Sequence, residues 1–206
     1  MRRDYNFRMK RRIKLGLDFD GVVAYNPFRL VRAPWAYFKR RILKVRKLTF
    51  FYPKNNLEKY IWKILHDSSI LPANGTEILE ELVTGKSVEA HLITGRYRFL
   101  NNHLYNFLDK YEMRNIFKSI NFNKRDIQPH IFKEELIRKL GIEVFVEDNW
   151  DIVEYLSDKK RKYPNKVKIF WIYNLIDRYR EYKYKYPYLE KALREIIKIY
   201  GYPISK

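Results

Sequence analysis

Five short apolar runs, with helical patterns between them, limit the folds open to this chain. "IKLGLD" (13–18), "VEAHLIT" (88–94), "FKSINF" (117–122), "IEVFVED" (142–148) and "VKIFWIY" (167–173) are rich in β-branched and aromatic residues. Several lack polar alternation, which is the pattern of strands buried on both faces. Between them, "NGTEILEELVTGK", "RFLNNHLYNFLDKY" and "HIFKEELIRKLG" carry apolar residues at i, i+3, i+4 spacing. The first opens on an Asn suited to capping, and the third closes on Gly141. Strand and helix in alternation call for right-handed crossovers and a mostly parallel sheet. The expected class is α/β, doubly wound.

The alternation breaks once. From about Tyr25 to Pro72 no strand pattern appears, while "VRAPWAYFKRRILKVRK" and "NLEKYIWKILHD" read as helices joined by "LTFFYPKN". This predicts a small α-helical lobe, residues 25–72, inserted after the first strand. The α/β core then comprises residues 1–24 and 73–206, with a basic extension over 1–12. The C-terminal stretch "LIDRYREYKYKYPYLEKALREIIKIYGYP" reads as helix, interrupted at Pro187. At 206 residues and 46% hydrophobic, the chain supports one sizeable core and an inserted lobe, not a second full domain.

The chain has no cysteine, which excludes disulfides and thiolate metal sites. No stretch approaches the roughly 20 apolar residues of a membrane span. No signal-type apolar segment follows the basic "MRRDYNFRMKRRIK", so a cytoplasmic location is expected. The formal charge is +19, and residues 1–50 hold 15 of the 43 Lys and Arg against only Asp4, Asp18 and Asp20. Such a balance implies anionic company: phosphates, nucleic acid or acidic lipid. A general solubility bias is the ordinary alternative.

The chemistry gathers at strand ends. In an extended strand, residues two apart share a face. If extension persists through Phe19, Asp18 and Asp20 in "LDFDGVVA" present their carboxylates to one side. Carboxylates crowded beyond the end of a parallel strand repel unless a divalent cation or a shared proton holds them. Oxygen ligands of this kind suit Mg²⁺, which also binds phosphate; a pair of capping aspartates is the competing reading. In "HLITGR", Thr94 and Gly95 end an apolar run before a helix, where a hydroxyl and free N–H groups can cradle phosphate. Glu147 and Asp148 close "VFVED", and Lys133 lies near the start of a helix, where its charge opposes the helix dipole.

In this order, "LDFDGVVA", "LITGR", the lysine of "HIFKEEL" and "VFVEDN" resemble the motifs of the haloacid dehalogenase (HAD) superfamily of phosphohydrolases. The style of these segments is most similar to the 5′(3′)-nucleotidase-like branch. The resemblance implies a Rossmann-like core with the inserted lobe as a cap. It further implies Asp18 as nucleophile and Asp20 as general acid and base. Mg²⁺ would be held by Asp18, the backbone carbonyl of Asp20, and Asp148, with Thr94, Gly95 and Lys133 on the phosphate. Glu147 and Asp148 point to opposite faces if the strand continues, so one of them ligates directly. Asp148 is the better match to the motif, leaving Glu147 or Asp151 in support. Arg96 is a candidate for substrate contact, with a surface ion pair as the alternative. Lys124 and Lys139 are rivals to Lys133, Asn174 is a minor site candidate, and His130 suits a turn or cap.

The leading expectation is therefore a Mg²⁺-dependent hydrolase of a phosphorylated small molecule such as a nucleotide. A second keeps the chemistry but acts on nucleic-acid termini, using the basic and aromatic "WAYFKRRILKVRKLTFFY" (35–52). A third is a non-catalytic module docking RNA or an acidic membrane, which has no need of both Asp18 and Asp20. The sequence carries no signal of oligomeric state.

Overall fold

The computed structural model describes residues 11–27, 48–160, 163, 166–175 and 177–202. In chain order the first half comprises β1 (Ile13–Leu17), β2 (Ala24–Tyr25), α1 (Asn56–Asp67), β3 (Leu71–Pro72), α2 (Thr76–Thr84), β4 (Val88–Tyr97) and α3 (Asn101–Lys110). The second comprises β5 (Ser119–Asn123), α4 (Pro129–Leu140), β6 (Val144–Glu147), α5 (Trp150–Ser157), β7 (Lys168–Ile172), β8 (Lys185–Tyr186) and α6 (Leu189–Tyr200).

Six strands form one sheet, ordered β5-β4-β1-β6-β7-β8, with every neighbouring pair parallel. The chain leaves β1 toward β4 and β5 but leaves β6 toward β7 and β8. In sheets of this type, such opposite departures mark the place beyond the carboxyl ends of β1 and β6 where ligands bind. Alternation along the strands splits the core in two. Leu15, Leu17, Leu92, Val144 and Val146 pack with α2, α3 and α6 through residues such as Leu79, Leu104 and Leu193. Ile93, Phe145 and Trp171 pack with α4 and α5 through Phe132, Ile137, Ile152 and Leu156.

The segment after β1 leaves and returns side by side, because β2 and β3 pair antiparallel with Ala24 opposite Pro72. Helix α1 covers the expected "NLEKYIWKILHD", and Asn55 and Glu58 close a capping box at its start. The expected helix over 31–47 lies outside the described residues, as does most of the basic extension. Among the described residues no helix is long and apolar enough to cross a membrane.

Three local expectations change. Asn74 does not cap α2. Gly75 takes that position at φ 108, and the Asn74 carbonyl instead accepts from the Glu190 N–H at 3.0 Å, against the start of α6. Strand β4 runs on to Tyr97, with a register shift between Thr94 and Tyr97. The C-terminal stretch is not one broken helix, since "KY" at 185–186 adds a sixth parallel strand. Tyr184 and Tyr186 stack on Phe170 at 4.9 and 5.1 Å, and the Tyr184 carbonyl accepts from Trp171 at 2.7 Å. The alternating Tyr and Lys of "YKYKY" is a period-two strand pattern, and ring stacking on β7 outweighs its helical reading.

Gly16 sits on central strand β1, where a Cβ would meet Phe145 Cδ2 at 2.7 Å and Ile142 Cγ2 at 3.2 Å. Overfilling this contact between β1 and β6 forces the neighbouring rings aside. Gly16→Ala is expected to destabilise the protein by about 1–3 kcal/mol, read as a lower urea midpoint at unchanged slope.

Candidate active site

Strand β1 stops at Leu17, and the turn that follows sets the chemistry. The Asp18 N–H donates to the Val146 carbonyl at 3.0 Å, tying the strand end to β6. The Phe19 carbonyl then accepts from Val23 and Ala24 at 3.1 and 2.9 Å, while Gly21 takes φ 77. Extension therefore does not persist through Phe19. Asp18 and Asp20 instead enter two separate ion-pair systems.

The first system is built on Lys133. Its Nζ lies 2.8 Å from Asp18 Oδ2 and 2.6 Å from Glu147 Oε2. The other Glu147 oxygen accepts from the Asn149 N–H at 3.0 Å. Oxygens of Asp18, Glu147 and Asp148 all lie within 4.8 Å of one another, and all three residues are buried. Because β6 ends at Glu147, the opposite-face rule lapses at Asp148, and both acids join the cluster. One ammonium thus faces three buried carboxylates. An all-oxygen donor set of this size fits Mg²⁺.

The titration behaviour reflects this crowding. Burial pushes the Asp18 carboxyl up against the pull of Lys133, and Asp148 and Asp20 add to the rise. Burial likewise raises Glu147 well above the usual carboxylate range. Burial alone would lower Lys133, but Asp18 and Glu147 hold it above the ordinary lysine value.

The second system is built on Asp20. Arg96 donates from Nε to Asp20 Oδ2 at 2.8 Å and from Nη2 to Oδ1 at 2.7 Å. Ser69 Oγ donates to Oδ1 at 2.6 Å. Arg96 also bonds the His66 carbonyl at 2.7 Å and His103 Nδ1 at 2.8 Å. A guanidinium only donates, so Nδ1 accepts and His103 is neutral in this contact. Burial and then Arg96 lower the His103 pKa.

No protein-family model matches the chain, and no curated protein does. Solved structures do. A mutant of CbbY from Rhodobacter sphaeroides, in complex with xylulose-(1,5)-bisphosphate, is similar at TM-score 0.57 and 11% identity, covering 88% of this chain and 96% of that one. A haloacid dehalogenase-like family hydrolase from Streptococcus pneumoniae is similar at TM-score 0.52 and 10% identity, over 92% and 98% of the two chains. YfnB from Bacillus subtilis, bound to magnesium, is similar at TM-score 0.53 and 10% identity, over 93% and 100%. The chain has the HAD fold.

Within this HAD fold the other candidates fall into place unevenly. Thr94 is buried, and its Oγ1 accepts from the Arg96 N–H at 3.3 Å. No helix begins directly after it, because β4 continues to Tyr97 and a 3-10 turn precedes α3; the expected helix-end cradle is absent there. Gly95 has a packing role, since a Cβ would lie 2.7 Å from Pro129 Cβ. That close approach seats the first turn of α4 against β4. Lys133 lies in the second turn of α4, not the first, and is buried, whereas Lys124 and Lys139 are exposed. Arg96 forms no surface pair but a buried one.

The Asp151 N–H donates to Asn149 Oδ1, which caps α5. Asn174 pairs with Asp177 in the turn after β7, and the His130 ring lies 4.5 Å from that of Tyr155. Sequence reasoning missed Ser69 and the His66 carbonyl, because "HDSS" reads as an ordinary helix stop, and His103, which sits inside the helical pattern "RFLNNHLYNFLDKY". Most of the basic 35–52 segment lies outside the described residues.

A carboxyl with a folded pKa above its unfolded value of about 4.3 keeps its proton longer in the fold. Its stabilising contribution is full below that unfolded value and is lost as pH rises through the folded one. Lys133→Met removes the cation that Asp18 and Glu147 share. The loss against wild type is expected to be about 3–5 kcal/mol near pH 7.5 and smaller at pH 5, measured by chemical denaturation at both.

Proposed function

We propose that the chain is a phosphomonoester hydrolase, acting through an aspartyl-phosphate on Asp18 and taking a phosphorylated small molecule. The observation that carries this reading is the buried Asp18–Lys133–Glu147 cluster, with Asp148, at the carboxyl ends of β1 and β6. A carboxylate there can attack phosphorus, and the neighbouring ammonium can meet the charge that a phosphoryl group brings.

In the first step an Asp18 oxygen bonds to phosphorus, the ester P–O bond breaks, and Asp20 delivers a proton to the leaving oxygen. In the second, Asp20 takes a proton from water, whose oxygen displaces Asp18 from phosphorus and frees phosphate. Lys133 and the Thr94 hydroxyl hold the phosphoryl oxygens. Asp18, Asp148 and the Asp20 carbonyl would hold Mg²⁺, with Glu147 in support through Lys133. When bound, the ion supplies neutralisation of phosphoryl charge. Residues 25–72 act as the cap that selects the substrate. The likeness of "LDFDGVVA" and "LITGR" to the nucleotidase branch puts nucleoside monophosphates first among substrates.

Phosphate release from 4-nitrophenyl phosphate is expected only with Mg²⁺ and to vanish in Asp18→Asn. Turnover by that variant at the wild-type rate would overturn the mechanism. Nucleotides, sugar phosphates and 3′- or 5′-phosphorylated oligonucleotides then identify the substrate class. Independently of activity, Mg²⁺ at about 100 times its Kd should add about 2.7 kcal/mol of stability. Asp148→Asn should abolish that gain in thermal melts.

A further inference from the structure

Arg96 is 3% exposed and engages Asp20 through two donors of its planar fork. Its position follows from an irregularity of the sheet. The register of β4 against β5 shifts between Thr94 and Tyr97, and such irregularities re-aim side chains beside active sites. From this stretch the guanidinium crosses over the Phe19 ring, 4.6 Å from its centroid, and meets the Asp20 carboxylate edge-on. Its other contacts fix it in turn. The His66 carbonyl and His103 Nδ1 take further N–H groups, so four hydrogen bonds hold one guanidinium plane. Ser69 adds a bond to Asp20 Oδ1 from the end of the inserted segment.

A carboxylate on a turn beside a glycine has rotational freedom that proton transfer cannot tolerate, because the reacting oxygen must lie within hydrogen-bond reach. A bidentate, fully buried guanidinium removes that freedom in a way that a single ammonium cannot.

We propose that Arg96 is the positioning residue of Asp20, aided by Ser69, holding the carboxylate in the orientation from which it exchanges a proton with the leaving oxygen. This rests on the reading of Asp20 as proton carrier. The role predicts a signature that a merely structural ion pair would not produce. An ester with a good leaving group departs without help, whereas an alkyl ester needs the proton.

The test compares kcat/KM for 4-nitrophenyl phosphate and glycerol 2-phosphate in the Mg²⁺-loaded full chain. Wild type, Arg96→Lys, Ser69→Ala and Asp20→Asn are measured in parallel, together with inhibition by inorganic phosphate. Arg96→Lys is expected to lose about 10–100-fold on the alkyl ester, at least several-fold more than on the aryl ester. Ser69→Ala should show a weaker loss of the same sense, and phosphate inhibition should stay within about threefold of wild type in both. Uniform losses on both esters, or none, in the folded Arg96→Lys overturn the inference. If Arg96→Lys fails to fold, Ser69→Ala decides by the same criterion. Asp20→Asn separates the two readings. An Asp20→Asn with a strong leaving-group dependence beside indifferent Arg96→Lys and Ser69→Ala sinks this inference alone. A wild type that hydrolyses neither ester sinks the parent reading, and this inference with it.

Discussion

The ammonium of Lys133, buried between Asp18 and Glu147, is the interaction around which the site is organised. Bare carboxylates in such surroundings would be unstable, and a lone buried ammonium equally so. Their coexistence requires three elements to converge within hydrogen-bond distance. β1 and β6 must be neighbours in register, which the Leu17–Val146 pairing provides. Helix α4 must lie close against β4, which Gly95 permits by leaving room for Pro129. Lys133 must reach inward through the second core, where its Nζ passes 6.0 Å from the Phe145 ring centroid. The order of the parallel sheet is thus a precondition for the charge cluster.

The two aspartates of "LDFDGVVA" stand two residues apart yet meet different environments. Asp18 belongs to a cluster of three buried carboxylates, in which the Lys133 ammonium is shared with Glu147. Asp20 belongs to a balanced pair with Arg96, completed by a serine and extended to a backbone carbonyl. The turn closed by Gly21 separates them. Unequal surroundings suit unequal duties, since a nucleophile must meet an incoming group whereas a proton carrier must hold its angle.

Much of this was legible in the sequence, for identifiable reasons. Five strands announced themselves by apolar runs, and Asp18 and Asp148 stood just past β1 and β6, where a parallel sheet gathers its carboxyl ends. The small strand β8 was not legible, because alternating Tyr and Lys in "YKYKY" also suits a charged helix, and only stacking on Phe170 decides. The extent of β4 was missed because Gly95 and Arg96 look like the end of a strand. Partners at long range were invisible too. Arg96 lies 76 positions from Asp20, and Ser69 lies 49 positions from it. Neither spacing carries a periodic signal, so a buried bidentate pair could not be told from a surface one.

The short β2–β3 ladder has a consequence for how this architecture can vary. The inserted segment departs and returns at points one strand spacing apart, about 4.8 Å. A gap that narrow closes equally well over a tight turn or over an entire lobe, so the sheet beneath is indifferent to the length of what it carries. Asp20 is not indifferent, because Ser69 and the His66 carbonyl come from the final residues of that segment. The body of the insertion is free to diversify, while its last turn is anchored to the chemistry below.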